Sequence, residues 1–186
     1  MTMNIAHIEE RSFIYGPGCR YVIWTQGCSI RCRGCWNRSM WDFASGHEIA
    51  LPVLFSRICA EKNNIEGITL LGGEPLDQYE ETAALLRLCA VAGLSTVLFT
   101  GYRIDELMQK NMEEAYKLPD ILITGRYDEQ KRTDQHQWIG SVNQEIHFLS
   151  DRYKNYQINN ANYMEISISE DGSLTILGFP KFGIVM

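Results

Sequence analysis

Four short runs of apolar and β-branched residues recur along the first two thirds of the chain. The runs are too short for helices, and the first two end directly before Gly27 and Gly72. Short apolar runs that stop at turn residues are typical of buried strands. The pattern predicts strands at residues 20–26, 67–71, 95–100 and 121–124.

Three segments between these strands carry apolar residues at helical spacing, at residues 52–63, 79–92 and 104–117. Pro52 stands at a first-turn position, where its missing N–H costs nothing. Gly93 stands where a left-handed C-cap is expected. Because strands and helices alternate and the connections are too long for hairpins, we predict an α/β fold with parallel strands joined by right-handed crossovers.

The regular pattern weakens after Tyr127. Residues 128–137 are almost wholly polar, and residues 151–162 are rich in Asn and Tyr, so both segments are predicted to be loops. Residues 163–177 alternate apolar and polar positions on either side of Glu170-Asp171-Gly172. This alternation predicts a C-terminal β-hairpin, with a type I′ turn if Asp171 and Gly172 are its central residues.

Charge and length narrow the class of protein. The chain has 186 residues with 17 Lys and Arg against 23 Asp and Glu, a net charge of −6. This balance argues against a nucleic-acid partner. No window approaches the roughly 20 apolar residues of a membrane span, and Glu9 and Glu10 stand where a signal peptide needs an apolar run. We therefore expect one folded domain in the cytoplasm with no membrane contact.

Three of the six cysteines stand close together directly after the first predicted strand. Cys28, Cys32 and Cys35 have the spacing C-x3-C-x2-C. A structural zinc ion usually takes four protein ligands, and no fourth Cys or His is nearby. A four-iron cluster held by three thiolates leaves one iron open to a small molecule. The cluster is favoured, and a zinc-binding or electron-transfer module without catalysis remains the alternative.

The cysteine trio, together with Gly72-Gly73-Glu74-Pro75 after the next strand, resembles the radical S-adenosylmethionine enzymes. Five further segments are similar, in the same order, to the family of anaerobic ribonucleotide reductase activating proteins. They are residues 16–20, 25–28, 34–37, 99–102 and 140–144. A stand-alone radical enzyme that acts on a small molecule or a peptide is the alternative within this enzyme class.

The resemblance implies a fold, two cofactors and a partner. The fold would be a partial parallel (β/α) barrel in a single domain over residues 1–186, with a core at about 13–150 and an extension at 151–186. The cofactors would be a [4Fe-4S] cluster and S-adenosylmethionine, which is cleaved reductively. The partner would be a glycyl-radical enzyme such as an anaerobic ribonucleotide reductase, and the electron donor a protein such as flavodoxin.

The resemblance also assigns residues to the site. Cys28, Cys32 and Cys35 would hold the cluster, and the segment from Gly72 through Gly73 to Glu74 would bind the amino group of S-adenosylmethionine. Trp36 and Asn37 would lie near the adenine, although an aromatic at this position could equally shield the cluster from water. Further contacts to S-adenosylmethionine are expected from two residues at strand ends, Thr100 and Arg126, the latter equally compatible with a solvated position.

The remaining cysteines and the nearby arginines have simpler interpretations. Cys19, Cys59 and Cys89 are predicted to pack as small apolar residues, the last two on apolar helix faces. Four arginines are expected around the cysteine trio, where they would be solvated, stabilise a negative cluster or dock an acidic electron donor. They are Arg20, Arg31, Arg33 and Arg38.

Overall fold

The computed structural model describes residues 1–168 and 171–178 and contains one large mixed sheet. Its seven strands are ordered β3-β1-β2-β4-β5-β6-β7. Strands β2, β4, β5 and β6 pair in parallel, while β1, β3 and β7 join the sheet antiparallel at its two sides. The strands are β1 (Thr2–Ser12), β2 (Arg20–Thr25), β3 (His47–Ala50), β4 (Gly67–Gly72), β5 (Ser95–Phe99), β6 (Ile121–Thr124) and β7 (Glu145–Phe148).

Four helices cover one face of this sheet: α1 (Leu51–Ala60), α2 (Tyr79–Val91), α3 (Ile104–Gln109) and α4 (Glu113–Lys117). The central strands are buried on both faces because alternate side chains enter different clusters. In β5, for example, Leu98 packs with the helices, whereas Val97 packs with Trp138 and Tyr153 from the later part of the chain. Among the described residues, no helix has the length and apolar character needed to cross a bilayer.

The predicted hairpin is confirmed as two antiparallel strands, β8 (Met164–Ile168) and β9 (Leu174–Gly178). Gly172 has a φ of +81°, which suits a tight turn. The predicted type I′ turn would begin at residue 170, which lies outside the described residues, so the turn type stays a prediction. On its inner side, Leu177 packs against Val22, Trp24 and Leu71 of the main sheet.

The four predicted parallel strands are confirmed, and three further strands were missed. β1 and β3 form an antiparallel edge before and after the cysteine loop, and β7 closes the other edge. The predicted helix at 104–117 is wrong as a single element. It is split into α3 and α4 at Asn111, whose φ of +56° is left-handed and interrupts the helix.

Two side-chain placements were also wrong. Cys59 is exposed, because Leu54 and Ile58 define the buried face of α1 and the next residue is rotated by about 100° from it. Arg20 does not lie near the cysteines. It lies at the first position of β2 and is fully buried, at the opposite end of that strand from the cysteine loop. Cys89 packs in the core as predicted, and the partly buried Cys19 packs against the same core cluster.

Candidate active site

The cysteine loop leaves β2 through Gly27, whose φ of +96° turns the chain sharply. Its backbone is held by the segment that follows the cysteines: Gly27 N donates to Met40 O (2.9 Å), and Cys28 N donates to Trp41 O (3.2 Å). Within the loop, Cys35 N donates to Cys32 O (3.1 Å). The three cysteines therefore lie on one folded-back loop at the carboxyl end of β2.

Burial raises the pKa of the Cys28 and Cys32 thiols above the ordinary value for cysteine. Backbone N–H groups oppose this shift without reversing it, among them that of Arg31 toward Cys28 and that of Tyr127 toward Cys32. A raised pKa means that these thiols hold their protons until a cation replaces them. Metal binding at this loop should therefore release protons.

Glu74 is a buried carboxylate that follows β4 and is 1% exposed. Its Oε1 accepts from Thr100 Oγ1 (2.8 Å) and from Leu76 N (3.0 Å), and its Oε2 accepts from Gly101 N (2.8 Å). Burial raises the pKa of Glu74 to about 7, against the opposing effect of these three donors. The ends of β4 and β5 thus place one carboxylate in a position where it can gain a cationic partner.

The two glycines before Glu74 let β4 approach the cysteine loop closely. Gly72 has a φ of +116°, and a Cβ on Gly73 would lie 2.1 Å from Gly27 O. In this close arrangement Gly73 N donates to Thr25 O (2.8 Å) and Glu74 N donates to Gly27 O (2.9 Å). The Gly-Gly-Glu segment, far away in sequence, is therefore joined by backbone hydrogen bonds to the residues directly before Cys28.

Trp36 and Asn37 lie beside the same junction. Asn37 Nδ2 donates to Gly72 O (3.3 Å), and its backbone N–H approaches Cys35 Sγ (3.3 Å). The ring of Trp36 is 40% exposed and has the guanidinium carbon of Arg132 4.8 Å from its centroid. Asn37 therefore connects the loop to the end of β4, while Trp36 lies at the surface.

One cavity brings nearly all of the predicted residues together. Its empty volume is about 1030 Å³ when the space that is open to solvent is included. The predicted residues along its wall are Cys28, Cys32, Cys35, Trp36, Asn37, Gly72, Gly73, Glu74 and Thr100. The cavity thus combines three thiols, glycine backbone and one buried carboxylate.

Arg126 is the predicted residue that is not part of this wall. Its guanidinium pairs with Glu106 (Nη1 to Oε2, 2.7 Å) and lies 5.8 Å from the centroid of the Tyr102 ring. Its neighbours Gly125 and Tyr127 do line the cavity. Arg126 therefore stands beside the cavity, with one guanidinium nitrogen paired to Glu106.

Comparison with known proteins identifies the family. A family model described as a 4Fe-4S single cluster domain matches residues 14–147. The anaerobic ribonucleoside-triphosphate reductase-activating protein of Enterobacteria phage T4 is 34% identical over 151 residues, covering 77% of this chain and 93% of that protein. The chain belongs to the radical S-adenosylmethionine family of glycyl-radical activating proteins.

Two further activating proteins support this assignment. The anaerobic ribonucleoside-triphosphate reductase-activating protein of Salmonella typhi is 32% identical over 144 residues, with 73% of this chain and 92% of that protein covered. The pyruvate formate-lyase-activating enzyme of Clostridium pasteurianum is 34% identical over 129 residues, with 66% of this chain and 52% of that enzyme covered. Activating proteins of this family use a [4Fe-4S] cluster and S-adenosylmethionine.

The residues of this activating protein fit both cofactors. The donor set on the loop is three sulfurs, the ligand type that iron–sulfur clusters take. Within residues 1–168 and 171–178, no three His, Cys, Asp or Glu side chains are close enough to share a single metal ion. Glu74 lines the same cavity with a buried carboxylate, a group whose chemistry suits an ammonium donor.

The structure adds cavity residues that sequence reasoning missed. Tyr15, Trp138 and Tyr163 line the wall, as does Gln144, whose Oε1 accepts from Gly140 N (2.9 Å) and whose Nε2 donates to Gly125 O (3.0 Å). Gln144 lies in a segment that already resembled the family, and that resemblance was the available signal. No spacing rule in the sequence marks the three aromatic residues.

Proposed function

We propose that this chain cleaves S-adenosylmethionine at a [4Fe-4S] cluster and generates a glycyl radical on a partner enzyme, with an anaerobic ribonucleotide reductase as the best candidate. The observation that carries the proposal is the direct joining of the cysteine loop to the Gly72-Gly73-Glu74 segment at one cavity. When bound, the two cofactors supply a 5′-deoxyadenosyl radical able to remove a hydrogen atom from glycine.

The residues of the chain have separate roles in this proposal. Cys28, Cys32 and Cys35 hold the cluster. Glu74 accepts a hydrogen bond from the cofactor amino group, and Thr100 holds the carboxylate of Glu74 in place from the end of β5. Binding of the ammonium group would offset the cost of burying the Glu74 charge. Asn37 and Trp36 are proposed neighbours of the adenine, and Arg126 a contact at the rim.

The partner is proposed from the open cavity and the named relatives, and the electron donor from the charge near the cysteine loop. Relatives named as activators of a ribonucleoside-triphosphate reductase and of a pyruvate formate-lyase favour a protein substrate whose glycine loop enters the cavity. Arg31, Arg33 and Arg38 are exposed near the cysteine loop and suit an acidic donor such as flavodoxin. A cytoplasmic location remains a prediction.

Two predictions about architecture also belong to this proposal. The sheet is proposed to curve as a partial barrel, with its carboxyl ends around the cofactor cavity. The whole chain is proposed to form a single domain, with a core at about 13–150 and an extension at 151–186. Glu165 of the extension accepts from Ser12 Oγ at the end of β1, which supports one domain over two.

The test is to mix the cluster-loaded chain, S-adenosylmethionine and a strong reductant anaerobically with the candidate reductase. A glycine-centred doublet in the electron paramagnetic resonance spectrum is expected, together with deoxyadenosine. If a small metabolite is consumed in proportion to deoxyadenosine and no doublet forms, the stand-alone enzyme replaces this proposal.

Cysteine variants test the cluster ligands. Replacing Cys28, Cys32 or Cys35 with Ala should abolish the binding of about four irons per chain, because each change removes one of three protein ligands. Cys59→Ala and Cys89→Ala are matched controls that should keep the iron. Iron analysis and the visible absorption spectrum measure this, and equal loss in a control would refute the assignment.

A further inference from the structure

The C-terminal strand pair, β8 and β9, lies beyond the segment that the family model matches, which ends at residue 147. Three residues of this region, Asn162, Tyr163 and Gly178, nevertheless line the same cavity as the cysteines and Glu74. We infer that this strand pair is a fixed wall of the S-adenosylmethionine site and increases the affinity for that cofactor. The inference rests on the proposed function, because it takes S-adenosylmethionine as the occupant of the cavity.

Glu165 anchors the first strand of the pair to the main sheet. Its Oε2 accepts from Ser12 Oγ (2.5 Å), and its Oε1 accepts from Phe13 N (2.6 Å). Ser12 is fully buried, and it ends β1. Hydrogen bonds to a carboxylate are stronger than neutral ones, so two of them hold this strand at a defined position.

Tyr15 anchors the second strand at the cavity itself. The N–H of Gly178 donates to the hydroxyl of Tyr15 (3.0 Å), and the Tyr15 ring packs edge-on against Trp24 with centroids 5.1 Å apart. Burial raises the pKa of Tyr15 to about 12, so the hydroxyl stays neutral and keeps its proton. Tyr15 therefore joins β9, the main sheet and the cavity wall.

Gly178 lets the two strands close next to the cavity. Its φ is +102°, and a Cβ there would lie 2.5 Å from Tyr163 O. Because the contact is with backbone, a larger residue at position 178 would push Tyr163 away from the wall. The wall position of Tyr163 is thus set by its own strand pair and by the Tyr15 hydrogen bond together.

The two faces of the strand pair differ in what they contact. Glu165 and Leu177 are opposite each other in the ladder and face the main sheet. Ile166 and Ile168, on the other face, are 57% and 73% exposed. Among the described residues the pair is therefore attached to the main sheet through one face, and that face ends at the cavity. This asymmetry supplies matched variants for a test.

Tyr163 is suited to a wall role because it is 44% exposed beside an open cavity. A half-exposed aromatic ring can bury apolar surface against adenine or lie against a cationic sulfonium. Either contact would remove water from the cofactor and slow its dissociation. The cysteine loop is held by other segments, so the cluster should not depend on Tyr163.

The experiment measures equilibrium binding of S-adenosylmethionine to the full-length, cluster-loaded chain, anaerobically and without reductant. Tyr163→Ala removes the wall side chain, and Glu165→Ala removes the anchor. Both should raise the dissociation constant about tenfold or more, with unchanged iron content. Ile166→Ala, on the exposed face of the same strand, should stay within about twofold.

Amide hydrogen exchange supplies a second readout that does not depend on turnover. In the unaltered chain, S-adenosylmethionine should slow exchange in residues 163–168 and 174–178, because a wall that favours binding is itself stabilised by the ligand. Unchanged affinity in both Tyr163→Ala and Glu165→Ala overturns the inference, whether or not exchange is slowed in these residues. If Tyr163→Ala and Glu165→Ala lose iron together with affinity, the inference is also overturned. The strand pair would then stabilise the cysteine loop and would not bind the cofactor directly.

The same experiment separates this inference from the proposed function. If the unaltered chain binds S-adenosylmethionine but the two variants bind it equally well, only the wall is refuted. If the unaltered cluster-loaded chain does not bind S-adenosylmethionine, the proposed function and the wall both fail.

Discussion

Two ionisable side chains are buried at opposite ends of the parallel strands of the main sheet. Arg20 lies at the first position of β2 and is fully buried, whereas Glu74 follows the last position of β4 and is 1% exposed. Burial lowers the pKa of Arg20 and raises the pKa of Glu74. The same physical penalty therefore acts at both ends of the sheet.

The two groups differ in what surrounds them. The guanidinium of Arg20 donates to Ser95 Oγ (2.6 Å), Thr69 Oγ1 (3.1 Å), Ser95 O (3.1 Å) and Pro17 O (3.3 Å), and also to Ile68 O. Acceptor groups of the protein therefore already bind the N–H groups of Arg20. Glu74 lines an open cavity and can take one more partner. Burial of a charge identifies a binding site only when the group also faces space for a ligand.

The largest expected effect on stability is at the Arg20 end. Arg20→Met should lower the free energy of unfolding by about 3 to 5 kcal/mol, because several buried acceptors lose their donor. Denaturant unfolding measures this, with exposed Arg57→Met as a control that should change it by less than about 0.5 kcal/mol. A loss in Arg20→Met as small as in the control would show that the network is dispensable.

The pH dependence of stability should come from the Glu74 end. Its folded pKa of about 7 lies above the ordinary 4.5, so the folded state holds a proton that the unfolded state releases. The stabilising contribution is complete below pH about 4.5 and is lost as the pH rises through about 7. Glu74→Gln cannot titrate, so its stability relative to the unaltered chain should rise over this window, on the order of 3 kcal/mol.

Unfolding curves of both cluster-free proteins between about pH 4 and pH 8 test this difference. Other titrating groups are common to the two proteins and cancel. A constant difference across the window would mean that Glu74 has the same pKa in the folded and unfolded states, and would contradict its raised pKa.

A smaller effect is expected on cofactor affinity. Glu74→Gln should weaken S-adenosylmethionine binding by about tenfold to a hundredfold, since one charge-assisted hydrogen bond contributes about 1.5 to 3 kcal/mol. Iron content should not change. Calorimetric titration of the cluster-loaded proteins measures the affinity. Arg20→Lys, altered at the other end of the parallel strands, should bind S-adenosylmethionine with normal affinity while it is folded. If Arg20→Lys weakened binding as much as Glu74→Gln, the two buried groups would not differ in their relation to the cofactor site.

The smallest effect is expected at Thr100. Thr100→Val removes the hydroxyl that donates to Glu74 Oε1 and should raise the pKa of Glu74 further. At neutral pH we expect a loss of about 1 to 2 kcal/mol in unfolding free energy, because the hydroxyl also accepts from Tyr102 N (3.1 Å). Thermal or denaturant unfolding measures it. A loss as large as that in Arg20→Met would mean that Thr100 is mainly a structural residue.

Much of the core could be predicted because its signals are local. The strand at 121–124 was predicted with the bounds it has in β6, and the parallel order followed from alternation of strands and helices. β1 was missed because its polar residues, such as Glu9 and Glu10, hide the alternation of buried Met3 and Ile5. Its place beside β2 depends on pairing between distant segments.

The misplacement of Arg20 has a similar cause. It is eight residues from Cys28 and so was expected near the cluster. The two ends of a six-residue strand, however, are about 16 Å apart, which places Arg20 at the amino end of the parallel strands, away from the cysteine loop. Closeness in sequence was a poor measure of closeness in space along an extended strand.

The sequence by itself determined the cysteine spacing, the Gly-Gly-Glu segment and the strands that precede them, since each depends on residues a few positions apart. The tertiary structure alone decided the burial of Glu74, its bonds to Thr100 and Gly101, and the place of Tyr163 in the cavity wall. These features join segments that are far apart in the chain. Their positions depend on strand register and packing, which no local pattern encodes.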